Sequence, residues 1–199
     1  ALVGASLLTL ISFELGLLLY LGQKRGVKSL EGIVLYREKL PFRQYLIWVP
    51  VIFVSSGLIL TLLTPVSDFL MGYFLWIPEE FMIEMGLGGG YSKSVLILTY
   101  ALSFLLVTVI GPTVEELYFR GYLLPRMPDC KGWTPLLHTA LFALYHTWTP
   151  WLAAARTAAV LPLVYIVRWK KNLLLGIIAH VLLNTVDIVL GIAFILQMQ

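Results

Sequence analysis

Residues 94–121 read SVLILTYALSFLLVTVIGPTVEELYFRG, and this stretch decides how the chain folds. No charge falls between Ser94 and Val114; then Glu115, Glu116 and Arg120 follow in quick succession. About 20 apolar residues are enough for a helix to cross the hydrocarbon of a bilayer. Ionisable groups at the deep end of such a run are costly in lipid. They face a protein interior or a water-filled cavity, and they mark function. Gly111-Pro112 lies just before them, and proline withholds a backbone donor, so the helix is expected to bend or thin there.

Two more apolar segments carry polar groups in the same manner. LFALYHTW (141–148) holds F-x-x-x-H at Phe142 and His146, and IIAHVLLNTVD (177–187) holds H-x-x-x-N at His180 and Asn184. Helix rise places His146 about 16 Å beyond Pro135, and His180 and Asn184 about 12 and 18 Å beyond Asn172. Glu115 falls about 8–16 Å from the same face, counted back from Arg120 and Arg126. Three separate segments thus bring polar groups to one depth. His180, Asn184 and Asp187 follow i, i+4, i+7 and share a helix face. Glu116 and Arg120 are i, i+4 with the acid first, the better order for a helical ion pair. Glu115 points about 100° away and is left free to face a cavity.

The composition agrees with a membrane bundle. Of 199 residues, 59% are hydrophobic and 13% charged, with mean hydropathy +0.88, against about 25% charged in a soluble domain. The fold expected is all-α, a polytopic bundle of about six transmembrane helices: 1–22, 45–66, 94–120, 134–150, 152–168 and 172–196. Thr134 is expected to cap the fourth, with Pro135 in its first turn, and Asn172 the sixth. Segment 67–93, with Asp68, Glu79, Glu80, Glu84 and Gly88-Gly89-Gly90, reads as an interfacial helix and loop. Residues 1–93 are upstream helices with this extracytoplasmic segment, and 94–199 are the catalytic core. The chain opens at Ala1 inside an apolar run, so further residues are expected upstream. A signal peptide fits less well, since no basic region precedes the run and no A-x-A site follows it.

Basic residues cluster in three loops: Lys24, Arg25, Lys28, Arg37, Lys39 and Arg43; Arg120, Arg126 and Lys131; Arg168, Lys170 and Lys171. The other side has Lys93 and Arg156. Six spans put the three loops on one side, which is then cytoplasmic. The net charge of +3 is dispersed rather than gathered in a tract, so nucleic acid is not expected as a partner. Cys130, the single cysteine, allows no internal disulfide and no metal-ligand spacing. His138 reads as an interfacial group and Asp187 as an interior polar one. Glu14 is a cavity or packing residue, or a sign of a missing partner helix.

In this order and on these helices, E-E-x-x-x-R, F-x-x-x-H and H-x-x-x-N resemble the CAAX prenyl protease and bacteriocin-processing (CPBP, or Abi) family of intramembrane glutamic proteases, from about Ser94 to Ile192. The resemblance implies that Glu115 with His146 activates a water as general base. It implies that His180 and Asn184 form an oxyanion hole. Glu116, Arg120 and Phe142 support the site, and no cofactor is expected. The implied partners are the lipid bilayer and a membrane-associated protein or peptide, prenylated for eukaryotic members. The implied location is the plasma membrane, with the site open toward the cytoplasm. Nothing in the sequence reads out a prenyl pocket. Two alternatives stay open. One is a zinc metallopeptidase using Glu115, His146 and His180, although H-E-x-x-H is absent. The other is a non-catalytic immunity or scaffold protein of the same fold. A transporter would want broken helices lined with ionisable groups; Pro112 permits one break, but no second half-helix is evident.

Overall fold

A computed structural model describes residues 10–27, 29–77, 91–130 and 132–197. Among them the chain is helical, with one isolated antiparallel bridge between Arg37 and Asn172. A π-helical turn, Leu10–Leu15, leads into α1 (Gly16–Lys24). Then come α2 (Phe42–Leu62), α3 (Thr64–Met71), α4 (Lys93–Arg126), α5 (Thr134–Tyr145), α6 (Ala153–Lys170) and α7 (Leu173–Gln197). Among the described residues, four stretches are long and apolar enough to cross a membrane: α2, the 34-residue α4, α6 with its leading turn Pro150–Leu152, and the 25-residue α7. Their outward faces stay apolar. On α2, for example, Leu46, Ile47, Val51, Val54, Leu58 and Leu62 are all exposed, as lipid-facing positions are. The molecule is a helical membrane bundle. The expected first span lies partly outside the described residues, as do Glu79, Glu80, Glu84 and the triple glycine of the expected interfacial segment.

The bundle core is built where α2, α6 and α7 meet. Val49 and Ile52 of α2 pack with Leu163, Val164, Ile166 and Val167 of α6 and Leu175 and Ala179 of α7. Against this, α4 runs antiparallel to α7, and two glycines let it come close. A Cβ on Gly176 would sit 2.6 Å from the Glu116 carboxylate, and one on Gly191 would fall on the Tyr100 ring. Asn184, between them, meets Val107. As the α7 number rises the α4 number falls, which fixes the register.

Around Pro112 the helix α4 widens, with π-helical segments Phe104–Ile110 and Glu116–Leu123 on either side of a short α-helical stretch Gly111–Glu115. π segments are rare and gather at functional sites. The first has a local cause. Gly111 N–H donates to the Leu106 carbonyl, and Pro112, next in line, has no N–H for Val107. The Asn184 side-chain amide donates to that carbonyl at 3.4 Å.

The fourth expected span is shorter than its hydropathy suggests. Helix α5 has 12 residues, about 18 Å, or little more than half the hydrocarbon thickness. It stops at Tyr145 because Pro150 follows closely and biases Thr149 away from helical geometry (φ −136°, ψ 61°). Its N-terminus also differs from expectation. Thr134 is the first helical residue rather than a cap, and its hydroxyl accepts from Cys130 N–H at 3.1 Å and donates to the Pro128 carbonyl at 2.7 Å. Asn172 does cap α7, accepting from Leu175 N–H at 2.9 Å.

The three basic loops converge at one end of the bundle. Leu173 N–H donates to the Tyr36 carbonyl at 2.8 Å, Asn172 donates to the Glu38 carbonyl at 2.7 Å, Arg126 to the Gly32 carbonyl at 3.2 Å, and Arg168 pairs with Asp129 at 3.0 Å. Lys93 starts α4 and Arg126 ends it, so Lys93 lies at the other end.

Candidate active site

Glu115 and Glu116 sit where the α-helical stretch of α4 passes into its second π segment, both buried. Their neighbours differ. Glu116 Oε1 lies 3.1 Å from Arg120 Nη1, and both side chains are fully buried. The contact is an ion pair rather than an aligned hydrogen bond, since no guanidinium nitrogen of Arg120 has a hydrogen-bond partner. What covers the guanidinium is Phe142, whose ring centre lies 4.0 Å from it. A desolvated cation over an aromatic face gains about 2 kcal/mol. This gives Phe142 a physical place in F-x-x-x-H. It roofs the Glu116–Arg120 pair and packs edge-on against His146, with ring centres 4.7 Å apart.

His146 ends α5 rather than riding within it, with φ −79° and ψ 58°. Its Nδ1 is 2.8 Å from the Phe142 carbonyl, which can only accept, so Nδ1 carries the proton. The free Nε2 faces Glu115 Oε1 at 4.0 Å. His180, on α7, donates Nδ1–H to Glu116 Oε1 at 3.0 Å and turns Nε2 to Glu115 Oε2 at 3.8 Å. Two imidazole nitrogens from two elements therefore bracket one carboxylate. The gaps are too long for direct hydrogen bonds. They suit a bridging water, which at about 2.8 Å from both Glu115 and His146 would subtend about 90°.

The structure thus brings together Glu115, Glu116, Arg120, Phe142, His146 and His180 from three elements. Asn184 stands one turn along α7 from His180 and gives an N–H to Val107. Asp187 stands apart, beside Tyr100. His138 is not interfacial. It is fully buried, with Nε2–H donated to the Phe119 carbonyl at 2.9 Å. Glu14 is buried beside Tyr145, within electrostatic reach of Glu115 and Arg120, and lines a cavity of about 700 Å³ with Phe13, Leu17, Tyr20, Tyr118 and Leu141. Among the described residues, no group of three or more His, Cys, Asp or Glu side chains is disposed to hold a metal ion.

Sequence reasoning placed Arg156 in the first turns of the fifth span, on the side opposite the basic loops, and gave it no part in the site. It stands in the first turns of α6 and comes within electrostatic reach of both Glu115 and His146. The signal was a lone cation in an apolar run, AAARTAAV, shortly after His146.

Residues 97–186 match the family model described as type II CAAX prenyl endopeptidase Rce1-like. The match takes in every residue of the cluster. Over that stretch the chain resembles the CAAX-protease family. The chain is a multi-pass helical membrane protein, and the matched stretch is similar to proteases of CAAX type. No curated protein and no solved structure matches the chain.

Proposed function

We propose that the protein is an intramembrane endopeptidase that hydrolyses a peptide bond with a water activated by Glu115 and His146. The observation that carries this reading is the Glu115 carboxylate held between two imidazole Nε2 atoms at 4.0 and 3.8 Å, with no direct hydrogen bond to either. A water in that gap donates one hydrogen to Glu115 and one to His146, and its lone pair stays free for attack. As the oxygen bonds to the carbonyl carbon, Glu115 takes its proton and the carbonyl π pair moves onto oxygen as an oxyanion. The C–N bond then breaks, and the proton passes from Glu115 to the leaving nitrogen. No covalent intermediate forms. His180 and Asn184 face the oxyanion, and Glu116, Arg120 and Phe142 hold His180 in place. The proposed catalytic unit is 94–199, with 1–93 as upstream helices.

The substrate proposed is a membrane-associated protein or peptide, with a prenylated cysteine as the group that the family description points to. The convergence of basic loops at one end of the bundle supports a cytoplasmic placement for that end in the plasma membrane, with the site nearer to it. The test is cleavage of a quenched peptide carrying a farnesylated cysteine and three further residues, by purified protein in lipid nanodiscs, with and without o-phenanthroline. Cleavage that survives the chelator is expected. Loss of activity restored by zinc would turn the assignment to a metallopeptidase. No cleavage of any membrane peptide, with products profiled from cells with and without Glu115→Ala, would favour the non-catalytic alternative.

A further inference from the structure

Attack by water creates a negative oxygen, and the donors named so far are partly committed. His180 gives Nδ1–H to Glu116, so its Nε2 donates only from the doubly protonated ring. Asn184 gives one amide hydrogen to the Val107 carbonyl at 3.4 Å. A further donor stands on the other side of His146. Arg156 Nη2 donates to the Thr149 hydroxyl at 3.0 Å, and Thr149 N–H donates to the His146 carbonyl at 3.1 Å. The guanidinium is therefore tied to the same turn that presents the His146 ring. Its other terminal nitrogen, Nη1, is buried and has no hydrogen-bond partner. A buried guanidinium N–H without an acceptor is costly, and an anionic oxygen is the partner that satisfies it best. The guanidinium as a whole lies within electrostatic reach of Glu115 and His146, which sets it beside the site.

We infer that Arg156 is a catalytic residue of this site, its Nη1–H donated to the scissile carbonyl oxygen as that oxygen becomes negative. The guanidinium binds the transition state more strongly than the substrate, because the oxygen's charge grows along the reaction. Thr149 fixes its direction. The inference rests on the hydrolytic reading above.

The experiment measures kcat and KM for Arg156→Gln and Arg156→Lys on the farnesylated peptide, as the free C-terminal acid and as the C-terminal amide, with melting in detergent as the control for folding. Arg156→Gln is expected to lower kcat about 100-fold, the usual loss for one oxyanion donor, with KM within threefold and an equal loss on acid and amide. Arg156→Lys, which keeps the charge without the planar fork, should regain about tenfold over Gln. A folded Gln variant with kcat within threefold of wild type overturns the inference. So does a loss confined to KM, or to the free-acid peptide, since the arginine then grips the substrate's terminal carboxylate. If Arg156→Gln does not fold, Thr149→Val decides. A kcat lowered about tenfold at unchanged KM supports the role, and an unchanged kcat overturns it. Wild-type protein that cleaves nothing refutes the hydrolytic reading itself, whereas cleavage indifferent to these variants refutes only the part given to Arg156.

Discussion

The two adjacent glutamates are separated by their surroundings, and substitutions should divide them. Glu115→Ala and His146→Ala are each expected to lower turnover about 10²–10⁴-fold, the usual worth of a general base, while melting stays close to wild type. A variant that keeps near wild-type turnover would remove that residue from the mechanism. Glu116→Gln should lower stability as well as activity. It leaves the fully buried Arg120 unpaired, and breaking such a pair costs about 3–5 kcal/mol. A stable but inactive Glu116→Gln protein would move the base from Glu115 to Glu116. Phe142→Leu should cost about 2 kcal/mol through the lost ring over Arg120, read as a lower melting temperature. The Glu116–Arg120 pairing was legible because i, i+4 spacing depends on helix geometry alone. The burial of His138 was not, since its partner, the Phe119 carbonyl, belongs to a segment distant in sequence.

Between elements, the close approach of α4 and α7 should matter most at Gly176. A methyl there would stand 2.6 Å from Glu116 Oε2 and 3.0 Å from Val167. A free glutamate tip could swing aside, but this one is held by Arg120 and His180. Gly176→Ala is expected to destabilise by about 1–3 kcal/mol and to lower turnover more than tenfold, measured by denaturant melting and peptide cleavage on one preparation. Unchanged turnover would mean that the pair adjusts without cost to the site. The shared depth of the polar groups was legible from a rise of about 1.5 Å per residue, and that rise holds for α7. Two features escaped such counting. The first π segment of α4 lies against Pro112, which withholds the N–H that Val107 would otherwise receive, and residue counting at a uniform rise does not register it. The early end of α5 arises from Thr149-Pro150, four residues beyond the last hydrophobic one of the helix, where hydropathy still favours a span.

For the whole molecule, composition was enough to indicate a membrane bundle, since 13% charged residues cannot coat a globule of this size in water. Which end faces the cytoplasm rests on the basic loops. Single cysteines near Arg126 or Lys170, in a protein with the exposed Cys130 replaced by serine, should resist a membrane-impermeant maleimide on intact cells and react after permeabilisation. Labelling from outside would invert the topology. The central claim is that Glu115 and its flanking imidazoles perform hydrolysis, and one measurement bears on it directly: turnover of the farnesylated peptide by purified Glu115→Gln protein. Glutamine keeps the size and the hydrogen-bonding reach of the side chain and removes only its capacity to take a proton. A folded Glu115→Gln protein with turnover lowered at least about 10²-fold is the expected result, and one that cleaves at the wild-type rate would contradict the account.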